Sequence, residues 1–137
     1  MKSKEKEKMK FNQCKEKSWI RTKYNKIHIK IREFGKTRYR SKEYWIFLYK
    51  IPKEINWFSA GQFMKLGERN VVAVNSRIYK KITKSEFRSI VKHEILHDIM
   101  GHRDEKVSRG DYIQIHKKLW SMMSKQDLIN ELAWQQR

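Results

Sequence analysis

Cysteine is almost absent from this chain. Cys14 is the only one in 137 residues, which excludes an internal disulfide and any cysteine-based zinc cluster. Proline is equally scarce, with Pro52 alone. No run of about 18 apolar residues occurs, so no transmembrane helix is predicted. The N-terminus is charged and lacks an apolar core segment, so no signal peptide is predicted. Acidic residues are outnumbered, 15 against 33 Lys and Arg, which gives a net charge of +18 and a pI near 10.1. These absences predict an intracellular protein, cytoplasmic or packaged into a virion from inside a cell, with no membrane partner. The length fits one domain.

The positive charge is uneven. Residues 1–42 hold 16 Lys and Arg against four Glu, a net of +12, and the remainder carries +6. Residues 1–17, MKSKEKEKMKFNQCKEK, read as a basic arm, disordered or a frayed helix, and 18–137 as a single domain. Such an arm suits a solvated tail or contact with nucleic acid or another acidic partner.

Ordered structure is expected from about Trp19. Residues 26–32 alternate with period two and predict a half-buried strand, with His28 on its polar side. Residues 34–37, Phe-Gly-Lys-Thr, read as a turn. Residues 44–51 form a rich strand candidate stopped by Pro52. Residues 53–69 read as a long connection in which Trp57, Phe58, Phe63 and Met64 supply core and cleft wall. Residues 70–75 predict a third strand. A short helix through about Trp120, an interruption at 121–123 and a last helix over 125–134 follow, the last with Leu128, Ile129 and Leu132 as its apolar face. The elements together predict an α+β fold, a small mixed sheet packed on one helix with a C-terminal helix beside it.

The chemistry concentrates in His93-Glu94-Ile95-Leu96-His97, an H-E-x-x-H motif. Thr83 and Glu86 fit a capping box upstream, and Gly101 fits a helix stop, so a helix is predicted over 84–100. Residues four apart share a helix face, so His93 and His97 can grip one metal ion from adjacent turns. Glu94 is rotated about 100° from His93 and can overhang the site as a general base for a metal-bound water. His102 follows the Gly101 turn directly, where the chain can fold back towards the metal.

Residues 70–134 resemble the catalytic half of the metzincin metallopeptidases, especially their matrixin-like branch. The shared order is a strand ending Val72 to Ser76, the H-E-x-x-H helix, a Gly and third His, a Ser-Met-Met at 121–123 and a final helix. The resemblance implies a metzincin-like (zincin) fold with one zinc per chain. It implies His93, His97 and His102 as ligands, Glu94 as base and Met123 as the floor of the site. It also implies that an extended substrate adds to an edge strand, here 70–75. The third ligand is shifted in register relative to the family, and Asp104, His116 and Glu131 stay open as alternatives. Cys14, upstream of the domain, is the one thiol that can latch such a zinc.

The activity expected is that of a zinc metalloendopeptidase acting on protein or peptide. Glu94 would assist attack of a zinc-bound water on the peptide bond. Two other classes compete. Bacterial rRNA-maturation endoribonucleases carry a similar three-histidine motif on a small basic domain, with Gly where Glu94 stands. A non-catalytic basic protein that binds nucleic acid on the same scaffold is the third reading.

Overall fold

The computed structural model describes residues 9–24, 26–54, 60–101 and 116–135. Six strands, β1 (Lys10–Gln13), β2 (Ile20–Tyr24), β3 (Ile27–Tyr39), β4 (Lys42–Lys50), β5 (Gly61–Leu66) and β6 (Arg69–Asn75), form one mixed sheet. The described helices are α1 (Ser76–Tyr79), α2 (Lys84–Ile99), α3 (helical over 116–121) and α4 (Lys125–Gln135). The α+β expectation holds at this level. None of the described helices is long and apolar enough to cross a membrane.

The central strands explain the sheet. In β4, Tyr44, Ile46 and Leu48 alternate onto one face and are buried, while Trp45, Phe47 and Tyr49 take the other. A strand apolar on both faces must be interior. β4 is, with β3 antiparallel on one side and β6 parallel on the other. The inner face meets α2, and Ile46, Leu48, Val72 and Val74 pack there with Ile90, Val91, Ile95 and Leu96 in the main core.

Several sequence expectations need correction. The stretch 1–17 is not arm throughout, because Lys10–Gln13 pairs with β3 and Phe11 packs on Phe87 with ring centroids 6.0 Å apart. One aromatic in a charged stretch is enough to anchor a short edge strand. Residues 34–37 are not a turn. They lie inside β3, where the register shifts between Glu33 and Gly35 as a bulge. Gly35 is required by proximity, since a Cβ there would lie 2.5 Å from the Asn12 carbonyl oxygen. The true reversal is Arg40-Ser41, with φ of 50° and 66°. Those left-handed values fit a tight hairpin but are usually supplied by Asn or Gly, so the sequence hid it.

The connection 53–69 contains β5, which forms a hairpin with β6 through Gly67, φ 64°. Among the described residues the edge of the sheet beside α2 is therefore β5, not the strand at 70–75, which is paired on both sides. Trp57 and Phe58 lie outside the described residues.

Candidate metal centre

Helix α2 begins and ends as its sequence dictates. Thr83 Oγ1 accepts from the Glu86 backbone N–H at 3.1 Å while Glu86 Oε1 accepts from the Thr83 N–H, a reciprocal cap. Gly101 at φ 70° ends it. With both ends fixed, the rotational setting of the helix is determined by its apolar stripe. That setting leaves His93 half-buried and buries Glu94 and His97.

The two histidines turn towards each other, with Nε2 atoms 3.1 Å apart. Two nitrogens on one tetrahedral zinc at about 2.05 Å lie about 3.3 Å apart, so little movement would be needed. The third imidazole comes from α3. His116 is buried, and its ring centroid lies 5.5 Å from that of His93 and 5.1 Å from that of His97. The His93–His97 spacing is 4.9 Å, so the three rings form a nearly equilateral triangle. One ligand nitrogen from each lies within 4.8 Å of the others. This cluster can bind a metal ion.

His102 and Asp104 lie outside the described residues. His116 was one of the open alternatives, and no motif spacing singles it out. Its only sequence signal is its place on the helix just ahead of the Ser-Met-Met interruption. Glu131, the other alternative, sits behind the cluster. His93 Nδ1 donates to Glu131 Oε1 at 2.5 Å, and Trp120 Nε1 donates to Oε2 at 2.6 Å. A carboxylate on Nδ1 keeps the proton there and leaves the Nε2 lone pair facing the cluster, as metal-binding histidines require. Burial pushes the Glu131 carboxyl up, but the His93 hydrogen bond and, when the rings are protonated, the His93 charge, then the Trp120 bond and the His116 charge, outweigh it. Its pKa falls below the ordinary carboxylate value, so it is ionised.

Helix α4 carries Glu131 into place on a polar seam. Asn130 donates to Ser85 and Ser89 at 2.9 Å each, and Asp127 meets Ser89 and Lys92 at 2.7 and 3.0 Å. The start of α4 is itself capped, with Ser124 Oγ accepting from the Asp127 N–H. The expected apolar face is thereby corrected in part, since Leu128 does pack against the main core. Ile129 and Leu132 are 50% and 63% exposed, while Asn130, Glu131 and Trp134 are buried. Hydrogen-bonding residues at helical spacing on both partners, 85, 89, 92 and 93 against 127, 130 and 131, were the signal.

Glu94 faces the edge strand. A Cβ at Gly61 would lie 3.3 Å from Glu94 Cγ and 2.9 Å from Ile90 Cγ2, so the first residue of β5 is glycine because α2 passes too close for more. Asp98, one residue past His97, accepts from Tyr44 Oη at 2.6 Å and pairs with Lys42 at 2.7 Å. Burial, then the Asp98 bond and charge, hold the Tyr44 hydroxyl far above its usual range, so it stays a donor. This pins the C-terminal turn of α2 to β4.

Met123 is buried in the main core with Leu119 and Trp134. His28 is exposed on β3, as its place in the alternation suggests. Cys14 Sγ meets the Glu33 carbonyl at 3.5 Å and is not part of the histidine cluster, so it is no latch in this conformation. The chain matches no protein-family model, no curated protein and no solved structure.

Proposed function

We propose that the chain is a zinc metalloendopeptidase of metzincin-like type, in which His93, His97 and His116 hold the metal and Glu94 is the general base. The carrying observation is the imidazole triangle with its donor atoms within 4.8 Å, on the helix that also bears Glu94. Three neutral imidazoles are a donor set that suits zinc and leaves a position for substrate chemistry. When bound, zinc would supply a Lewis acid for the scissile carbonyl and bring the pKa of a coordinated water towards about 7.

The chain's own residues then divide the work. Glu131 holds His93 by its Nδ1 and fixes the direction of its other nitrogen. Glu94 takes the proton of the attacking water and delivers it to the leaving amine. Among the described residues β5 is the margin of the sheet, where an extended peptide can add along Phe63–Leu66, and Gly61 lets α2 carry Glu94 close to that strand.

The test is zinc content and peptide hydrolysis of wild type, Glu94→Gln, His116→Ala and His102→Ala. One zinc per chain, lost in His116→Ala and kept in the other two, is expected. Peptidase activity should fall by roughly 10²–10⁴ in Glu94→Gln. Zinc lost in His102→Ala but kept in His116→Ala would overturn the ligand set. The net charge of +18 favours a second reading, a metal-dependent endoribonuclease. RNA cleavage that survives Glu94→Gln, with no peptide cleavage in wild type, would select it.

A further inference from the structure

The sheet has two faces, and only the inner one carries a helix among the described residues. On the outer face the apolar cluster is built from Ile29, Tyr49, Ile51 and Ala73, with Ile31 and Met64 packed against it. It contains no helix residue. Two exposed apolar side chains mark the opposite margins of this face, Ile20 on β2 (63%) and Leu66 on β5 (47%). Between them opens a groove of about 100 Å³ floored by Phe47, Tyr49, Met64 and Ala73.

The volume decides what the groove can take. Sites for cofactors and drug-sized molecules enclose about 300–1,000 Å³. This one is too small for those and suits one large apolar side chain, the kind of anchor that dominates protein interfaces. Five strands at about 4.8 Å give a face about 19 Å wide, enough for one helix of about 10 Å diameter.

The rim selects the sign of the partner. Lys36 and Arg69 flank Trp45, 4.9 and 5.2 Å from its ring centroid, and Lys23 lines the groove. Glu43 is already beside Arg38 at 3.8 Å. A second copy of the chain would bring two such rims together at +18 each, which disfavours self-association here. Stacked bases need an open aromatic plane. Trp45 is engaged by two cations, and the groove floor mixes aliphatic with aromatic side chains.

We propose that the outer sheet face docks an acidic amphipathic helix of a partner protein. One large apolar side chain seats in the groove, and flanking carboxylates meet Lys36, Arg69 and Lys23. The face lies across the sheet from the histidine cluster, so a docked helix would not touch that cluster. The inference does not rest on the peptidase reading, and its test reads binding alone.

The experiment labels the methionine methyls of the full chain with ¹³C and titrates a stapled synthetic helix carrying a Leu/Phe stripe flanked by Glu. The Met64 methyl should shift and saturate, while the same helix with Lys flanks leaves it unmoved. Leu66→Glu, and separately Lys36→Glu with Arg69→Glu, should weaken binding by about tenfold or more with unchanged circular dichroism. No response at Met64 to the Glu-flanked helix would overturn the proposal, as would equal binding of the Lys-flanked helix. A Met64 response to a single-stranded oligonucleotide in place of the helix would assign the face to nucleic acid instead and overturn it too.

Discussion

Replacing Glu131 by Gln tests the centre at its least visible point. The carboxylate accepts two hydrogen bonds, from His93 Nδ1 and Trp120 Nε1, one on each oxygen. A glutamine keeps the shape but can accept on only one side. If its oxygen stays with Trp120, its NH₂ group faces Nδ1, which must then accept. The imidazole proton moves to Nε2, the atom 3.1 Å from His97 Nε2, and the metal loses that lone pair. Loss of such a supporting partner typically weakens metal binding 10–100-fold, or about 1.4–2.8 kcal/mol. Competition with a chromophoric chelator at neutral pH measures this directly. Unchanged zinc affinity in folded Glu131→Gln would refute the orienting role. A loss as complete as that of His93→Ala would also refute it, because Glu131 would then be a ligand itself.

Other outcomes follow from the same geometry. Gly61→Ala should cost roughly 1–3 kcal/mol of stability, because its Cβ meets Ile90 at 2.9 Å, and should lower activity by displacing Glu94 while zinc is retained. Chemical denaturation and zinc content separate the two effects. Zinc at about 100 times its Kd should stabilise the fold by about 2.7 kcal/mol, a rise of roughly 10 °C in Tm, and His116→Ala should abolish the rise. Burial pushes the Asp127 carboxyl up, but Ser89, Lys92 and Ser124 outweigh it and hold its pKa below the ordinary value of 3.8. A depressed carboxylate contributes stability above its unfolded pKa and loses it as pH falls through the folded one. Asp127→Asn should therefore be less stable at neutral pH and should flatten the acid limb of a Tm–pH profile.

What could be read from the sequence depended on whether a residue's role was local. The limits of α2 were legible because Thr83, Glu86 and Gly101 act on the backbone within a few residues of themselves. The pairing of His93 with His97 was legible because helical spacing alone puts them together. β4 and β6 announced themselves by apolar content. The rest depended on pairing across long separations. Arg40-Ser41 turns because β3 and β4 hold it, and Gly35 looks like a turn residue although Asn12, far away in sequence, is what demands it. His116 has no local mark. Only the packing of α3 and α4 on α2 brings it within reach of His93 and His97. Ile129 and Leu132 of α4 were misassigned for a related reason, since beside Leu128 and Trp134 the buried face of that helix is completed by Asn130, which bonds Ser85 and Ser89.

The two margins of the sheet are unlike, and this bears on how the protein behaves at high concentration. Along one margin β3 is covered in tandem by β1 and β2, strands of four and five residues with a break between them. A broken margin of that kind is a poor template for further strands. Among the described residues the other margin is the unbroken β5, the strand whose first residue lies against Glu94, so accretion of chain on chain is expected along it. What restrains it is long-range repulsion between molecules of charge +18, and salt shortens that reach to about 10 Å at 0.1 M. The protein should therefore store best in dilute salt. When it does associate, it should cover the β5 margin before it loses its fold.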